Sequence, residues 1–256
     1  MTPAFALPRS DMKQIDLNCD LGEGAGQDAV LMPLISSASI ACGAHAGNLE
    51  TMIETVELAL ASRVGIGAHP GYFDRENFGR QERAITPEEA ARIVLTQVDQ
   101  LSEVAGSRLR HVTLHGALYN QVSADPALAA AVAGELARRW PDLILFALSG
   151  SELAAAGRAR GLRVAEEVFA DRTYQRDGRL TPRSEPGALI TDEAAAVAQV
   201  LRMVRHGVVR ATDGSDWPIR ADTICLHGDG ANAVSFAQRL RQELAAAGVA
   251  VKAFAG

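Results

Sequence analysis

The stretch Ile66-Gly67-Ala68-His69-Pro70-Gly71 decides how this chain is read, because a short apolar run ends there in a histidine held between glycines. The phrase recurs as Ala41-Cys42-Gly43-Ala44-His45-Ala46-Gly47, as Leu114-His115-Gly116-Ala117 and as Leu226-His227-Gly228-Asp229. Each copy follows a run short and apolar enough for a buried strand, and the full set of such runs is 14–17, 37–41, 64–67, 111–114, 143–148, 163–168 and 223–226. Helical signals lie between them. Thr86-Pro87-Glu88-Glu89 reads as a capping box with proline in the first turn, Asp125-Pro126 and Thr191-Asp192 open two more helices, and ends fall near Arg63, Gly106, Trp140, Gly161, Gly207 and Gly248.

Strand alternating with helix predicts parallel strands joined by right-handed crossovers. Seven runs, with a hairpin expected where Val208-Val209 and 217–219 flank Asp213-Gly214, favour an irregular seven-stranded (β/α) barrel over an open doubly wound sheet. No linker or composition break interrupts 12–256, so one barrel domain is expected there, with 1–11 as a loose extension. In such a barrel all strands open at their C-terminal ends onto one face, and the four glycine-flanked imidazoles should meet at that mouth. The glycines are read as giving a ligand close access.

The first strand carries acids to the same level. In Asp16-Leu17-Asn18-Cys19-Asp20-Leu21-Gly22-Glu23-Gly24, alternation turns Asp16, Asn18 and Asp20 to one side, the barrel interior or its mouth. Buried carboxylates must be paired, hydrogen-bonded or metal-bound, and Asp20, nearest the mouth, is the candidate general base or metal ligand. Gly24-Ala25-Gly26-Gln27-Asp28-Ala29 matches a dinucleotide fingerprint, but it begins past the strand and places Glu23 and Asp28 where a pyrophosphate would lie, so it reads as loop. Arg75 and Arg80 follow the His69 strand, and Asp171-Arg172, Tyr174, Arg176, Arg179 and Arg183 follow the sixth run; such arginines suit an anionic substrate.

Composition narrows the function. The formal charge of −6 argues against a nucleic-acid partner, and no run reaches the roughly 18 apolar residues of a membrane span. Lys13 and Lys252 are the only lysines, which excludes a Walker phosphate loop. Cys19, Cys42 and Cys225 are odd in number and lack metal or redox spacing, so a reducing, cytoplasmic compartment is expected.

Taken in order, the segments 16–24 (DLNCDLGEG), 36–47 (SSASIACGAHAG), 66–72 (IGAHPGY), 78–80 (FGR), 115–120 (HGALYN), 169–172 (FADR) and 223–229 (TICLHGD) resemble the LamB/YcsF family over nearly the whole chain. The resemblance implies an irregular seven-stranded barrel akin to glycoside hydrolases and polysaccharide deacetylases. It also implies ATP-dependent opening of 5-oxo-L-proline to L-glutamate, with ATP as co-substrate and two further 5-oxoprolinase subunits, B and C, as partners. On that footing Asp20 is assigned as base, and His45, His69 and His115 as proton carriers. Asn18, Glu23, Arg80, Tyr119, Asn120, Arg172, His227 and Asp229 are assigned to substrate and phosphate. Thr113 stands where relatives usually carry lysine, and Ala44 and Asn48 where they carry an aromatic and an acid, which points to a larger or different lactam. The alternative is a stand-alone metal-dependent amidohydrolase or deacetylase, with Asp20, His45 and His69 on a divalent ion. A non-catalytic, partner-binding subunit is the third expectation.

Overall fold

The computed structural model describes residues 14–228, 230 and 232–255, so the expected extension and Asp229 lie outside the described residues. Strands β1 (Gln14–Leu21), β2 (Ser37–Ala41), β3 (Gly65–His69), β4 (Leu109–Thr113), β5 (Ile144–Leu148) and β6 (Arg163–Phe169) run parallel, each paired to the next. Then β7 (Val208–Arg210) and β8 (Asp216–Pro218) form the expected antiparallel hairpin, with Val209 opposite Trp217. Strand β9 (Thr223–His227) pairs with both β6 and β1, which closes a seven-stranded parallel barrel. A short β10 (Ala250–Val251) adds beside the start of β1.

The helices are α1 (Asp28–Leu31), α2 (Leu49–Ser62), α3 (Pro87–Ala105), α4 (Gly116–Ala124), α5 (Pro126–Arg139), α6 (Glu152–Ala159), α7 (Glu193–His206) and α8 (Ala233–Ala246). Thr86 and Glu89 close the capping box of α3, and the Asp125 and Asp192 carboxylates cap α5 and α7. A second box, Asn48 with Thr51, starts α2; threonine replaces the usual acid at the third helical position, so the familiar pattern does not reveal it. No helix among the described residues is long and apolar enough to cross a membrane.

β1 runs four residues beyond its apolar run, because Asn18 and Asp20 break the hydrophobic signal while pointing into the barrel. Leu17, Cys19 and Leu21 face the other way, buried against the helical layer. Inside, Asp16 accepts hydrogen bonds from Ser36 (2.7 Å), Ser37 (2.8 Å) and Thr223 (2.5 Å). Asn18 donates to Thr223 Oγ1 (2.8 Å) and Glu167 Oε1 (2.9 Å). The barrel axis is therefore a polar column that ends upward at Asp20.

Candidate active site

His69 is the last residue of β3, His115 comes two residues after β4, His45 four after β2, and Asp20 and Glu23 sit at and just past the end of β1. Closure of the barrel brings them together. His69 Nε2 lies 2.9 Å from His115 Nδ1 and 3.4 Å from Asp20 Oδ1, and His45 Nε2 lies 2.9 Å from Glu23 Oε1. The His45 and His115 rings stack with centroids 3.7 Å apart and planes 3° from parallel. The fourth imidazole, His227, stands on another wall, donating from Nδ1 to Asp171 (2.8 Å) and accepting at Nε2 from Arg183 (2.9 Å).

One of the flanking glycines, Gly71, and Gly79 in the following loop make room for the rings themselves. A Cβ on Gly71 would meet His45 Nδ1 at 2.8 Å, and one on Gly79 would meet His45 Cβ at 2.9 Å. Their missing side chains make room for the imidazoles, and the 70–80 segment closes tightly over the rings. Phe78 takes a left-handed conformation (φ 54), rare for a bulky residue, and its carbonyl accepts from His115 Nε2 at 2.9 Å.

A cavity of about 230 Å³ opens beside this cluster, lined by Asp20, His69, Thr113 and His115 on one side and by Tyr119, Asn120, Cys225 and His227 further round. Arg80, Arg172 and Arg183 complete its wall. Asn18, Glu23 and His45 do not line it: Asn18 lies a layer below, and Glu23 and His45 back the His69–His115 pair. Arg172 also grips the backbone carbonyls of Thr181 (2.5 Å) and Ala188 (3.3 Å), holding the loop that carries Arg183. Burial first, then the Arg183 charge, brings its guanidinium down to about 10. The residue that sequence reasoning missed is Glu167, which receives Asn18 and the Tyr119 hydroxyl (2.8 Å). Burial pushes its carboxyl up to about 7. Its signal was an acid pair, Glu166-Glu167, inside an otherwise apolar strand.

The charges are ordered. Burial draws the His69 imidazole down, but the neighbouring Asp20 carboxylate, then Glu23 and the Thr113 carbonyl, outweigh it and push His69 up to about 9. Burial alone would raise Asp20; the His69 charge and contact, with His227 and His45 behind, bring it below the usual carboxylate range. Burial first, then the His69 charge, keeps His115 well below the ordinary imidazole value, and burial also lowers His45. At neutral pH one imidazolium thus sits between two neutral rings, beside an ionised Asp20 that faces the cavity. Burial and the adjacent acids raise Cys225 well above the usual thiol range, which leaves it an unreactive wall residue.

For a metal, the compact donor set is Glu23, His45, His69 and His115, whose donor atoms lie within 4.8 Å of one another. The trio expected from sequence does not close in that way. Of His45 and His69, Asp20 has its ionic contact with His69, and among the described residues it groups with Cys225 and His227.

The LamB/YcsF family profile matches residues 15–256. The A subunit of the 5-oxoprolinase of Shouchella clausii is 52% identical over 250 residues, covering 94% of this chain and 99% of that one. A crystal structure of the lactam utilization protein from Thermus thermophilus superposes with a TM-score of 0.86 at 44% identity, over 94% of this chain and 100% of that one. A family 4 acetyl xylan esterase from Clostridium thermocellum, 12% identical with a TM-score of 0.51 over 93% of this chain and 86% of that one, shares the barrel fold alone. Profile, length-spanning identity and superposition agree: the chain belongs to the LamB/YcsF family.

Proposed function

We propose that this protein is the A subunit of a 5-oxoprolinase, opening 5-oxo-L-proline or a closely related lactam to the amino acid at the expense of ATP, together with partner subunits B and C. The observation that carries the reading is Asp20, ionised, 6% exposed and held by His69 at the floor of a small cavity walled by three arginines. A carboxylate base facing an anion-binding wall suits hydrolysis of a cyclic amide that bears its own carboxylate.

An unactivated lactam is a poor electrophile. Phosphorylation of its amide oxygen makes the carbonyl carbon electrophilic: water adds there, the C–N bond breaks to leave an acyl phosphate, and a second water releases inorganic phosphate and the amino acid, which couples ring opening to ATP. In this reading Arg80, Arg172 and Arg183 hold the substrate carboxylate and the phosphoryl group, and Asn120 faces the ring. Asp20 takes a proton from the attacking water at its carboxylate and returns one to the departing ring nitrogen. His69, carrying positive charge at Nε2, keeps Asp20 ionised, with His115 and His45 fixing its position. Glu167 and Tyr119 hold the floor.

At about 230 Å³ the cavity is below the roughly 300–1,000 Å³ of sites for drug-sized ligands, and the chain has no lysine-bearing phosphate loop. We therefore assign the nucleotide to the partner subunits and the activated lactam to this cavity. All three cysteines are free and buried, which suits a reducing cytoplasm.

The test is glutamate release from 5-oxoproline and ATP, measured with this chain alone and with subunits B and C. We expect turnover only in the complex. A second reading, ATP-independent hydrolysis of another amide, draws on the three-imidazole cluster; amide cleavage by the isolated chain without ATP would establish it in place of the first.

A further inference from the structure

We infer that Glu23, His45, His69 and His115 form a site for one divalent transition-metal ion of the zinc class, set behind the Asp20 wall of the cavity. The inference starts from where the ring hydrogens of His69 and His115 go. His69 Nδ1 donates to the Thr113 carbonyl at 2.8 Å, and His115 Nε2 donates to the Phe78 carbonyl at 2.9 Å. With those hydrogens committed, the nitrogens left over are His69 Nε2 and His115 Nδ1, and these face each other at 2.9 Å. In neutral rings that is lone pair against lone pair, a clash that a proton on His69 relieves in the metal-free protein and that a metal ion taking the place of that proton relieves equally. Glu23 Oε1 stands 3.5 Å from His115 Nδ1 and 4.0 Å from His69 Nε2, and it also meets His45 Nε2 at 2.9 Å.

Four donors, three of them imidazole nitrogens and one a carboxylate oxygen, thus point into one space with a net charge of −1. A four-coordinate ion with bonds of about 2.0–2.1 Å holds its donors roughly 3.3 Å apart; the four separations just given, from 2.9 to 4.0 Å, bracket that spacing, and the whole set lies within 4.8 Å. Nitrogen-rich donors favour zinc and its first-row neighbours; magnesium and calcium ask for oxygen shells. The surroundings are those of a prepared ligand shell. Imidazole ligands usually give their second N–H to a carbonyl or carboxylate that fixes the tautomer, and both Thr113 and Phe78 do this here. Phe78 does so from a strained left-handed backbone, and Gly71 and Gly79 lock the rings so that their freedom is already spent. When bound, such an ion supplies permanent positive charge and Lewis acidity at the cavity floor. It would replace the proton on His69 as the charge that keeps Asp20 ionised, so the role of Asp20 is unchanged. The site does not depend on which amide the protein opens.

The test needs no substrate. The full-length protein, stripped with chelator and dialysed, is titrated with zinc chloride by calorimetry and with cobalt(II) followed by visible absorption, with thermal melts alongside. We expect one ion per chain, the strong visible bands of four-coordinate cobalt, and a melting temperature that rises with free metal as binding to the native state requires. E23Q and H115A, each checked for a native circular dichroism spectrum, should weaken binding by more than the roughly 10- to 100-fold that loss of an outer partner costs. D20N should bind as the wild type does. Absence of saturable binding would overturn the inference and leave a proton in the gap. Binding lost in D20N but kept in folded E23Q would overturn it too, moving the ion to Asp20. Should E23Q misfold, H45N provides the same arm from another strand end.

Discussion

The two ends of the barrel carry the same residue types and use them in opposite ways. At the lower end Asp16 has both carboxylate oxygens filled by three hydroxyls, and His111 lies flat on Phe146 with centroids 4.2 Å apart, within reach of Ser39. Burial holds His111 down to about 3, so it is neutral and serves as packing. At the upper end Asp20 Oδ1 is buried with only the 3.4 Å ionic contact of His69 Nε2 and no hydrogen-bond partner among the described residues, and two imidazoles meet nitrogen to nitrogen. The residues are buried at both ends. What separates structure from chemistry is whether the polar groups are satisfied, since an unsatisfied buried group costs on the order of 1–3 kcal/mol and persists only where something offsets it.

The sharpest way to break this contrast is to remove the carboxylate charge at each end. D20N should lower turnover of the assembled enzyme by roughly 10²- to 10⁴-fold, the range for losing a general base, while the melting temperature stays within a few degrees of wild type. D16A should do the reverse. It strands the hydroxyls of Ser36, Ser37 and Thr223 in the interior, and we expect a loss of several kcal/mol in denaturant unfolding, with kcat nearly unchanged in the fraction that remains folded. A D20N enzyme with full activity, or a D16A protein as stable as wild type, would erase the distinction.

Much of this was legible beforehand, and the limits are physical. Strand count, barrel closure, the 208–219 hairpin and the meeting of His45, His69 and His115 followed from apolar runs and turn chemistry, which are local properties. Glu23 could not be placed with the imidazoles, because it sits in a turn where no periodicity fixes direction, and Asp20 was the more conspicuous acid. Glu167 was hidden for another reason: one face of a buried strand looks like the other until the partner strands are known. The glycine flanks are visible in the sequence, but that Gly71 makes room for His45 and His115 follows only from their contact in three dimensions.

Glu167 lies between the two ends and offers a second, smaller test. Its carboxyl titrates near 4.5 in an unfolded chain and is pushed up to about 7 in the fold, so between those values the native state binds a proton that the unfolded state does not. Linkage then gives stability that falls as pH rises from about 4.5 to 7, by a few kcal/mol at most from this group. Asp16, also raised by burial, adds in the same direction. E167Q keeps the contacts with Asn18 and Tyr119 sterically possible but cannot titrate. Its unfolding free energy, measured by urea titration from pH 4.5 to 7.5, should show a visibly shallower decline than wild type. Parallel profiles would mean that Glu167 is ionised throughout, and would move it from the satisfied column of the barrel to the reactive mouth.

The smallest expected effect concerns Thr113, whose backbone and side chain belong to different ends of the comparison. Its carbonyl is committed to His69 Nδ1, a satisfied contact. Its hydroxyl, 2% exposed at the residue level, lines the cavity and has no hydrogen-bond partner among the described residues. An unpaired hydroxyl turned toward a substrate cavity is a contact waiting for a ligand, whereas an unpaired hydroxyl in the core is merely a cost. T113V removes the hydroxyl at nearly constant shape and leaves the carbonyl in place. If the hydroxyl meets the substrate, KM for the lactam should rise roughly 3- to 10-fold, the 0.5–1.5 kcal/mol of one neutral hydrogen bond, with kcat little changed and the melting temperature equal or slightly higher. If instead KM is unchanged while stability rises, Thr113 belongs with His111 among the residues the barrel merely buries, and the boundary between the two ends runs one layer higher than we have drawn it.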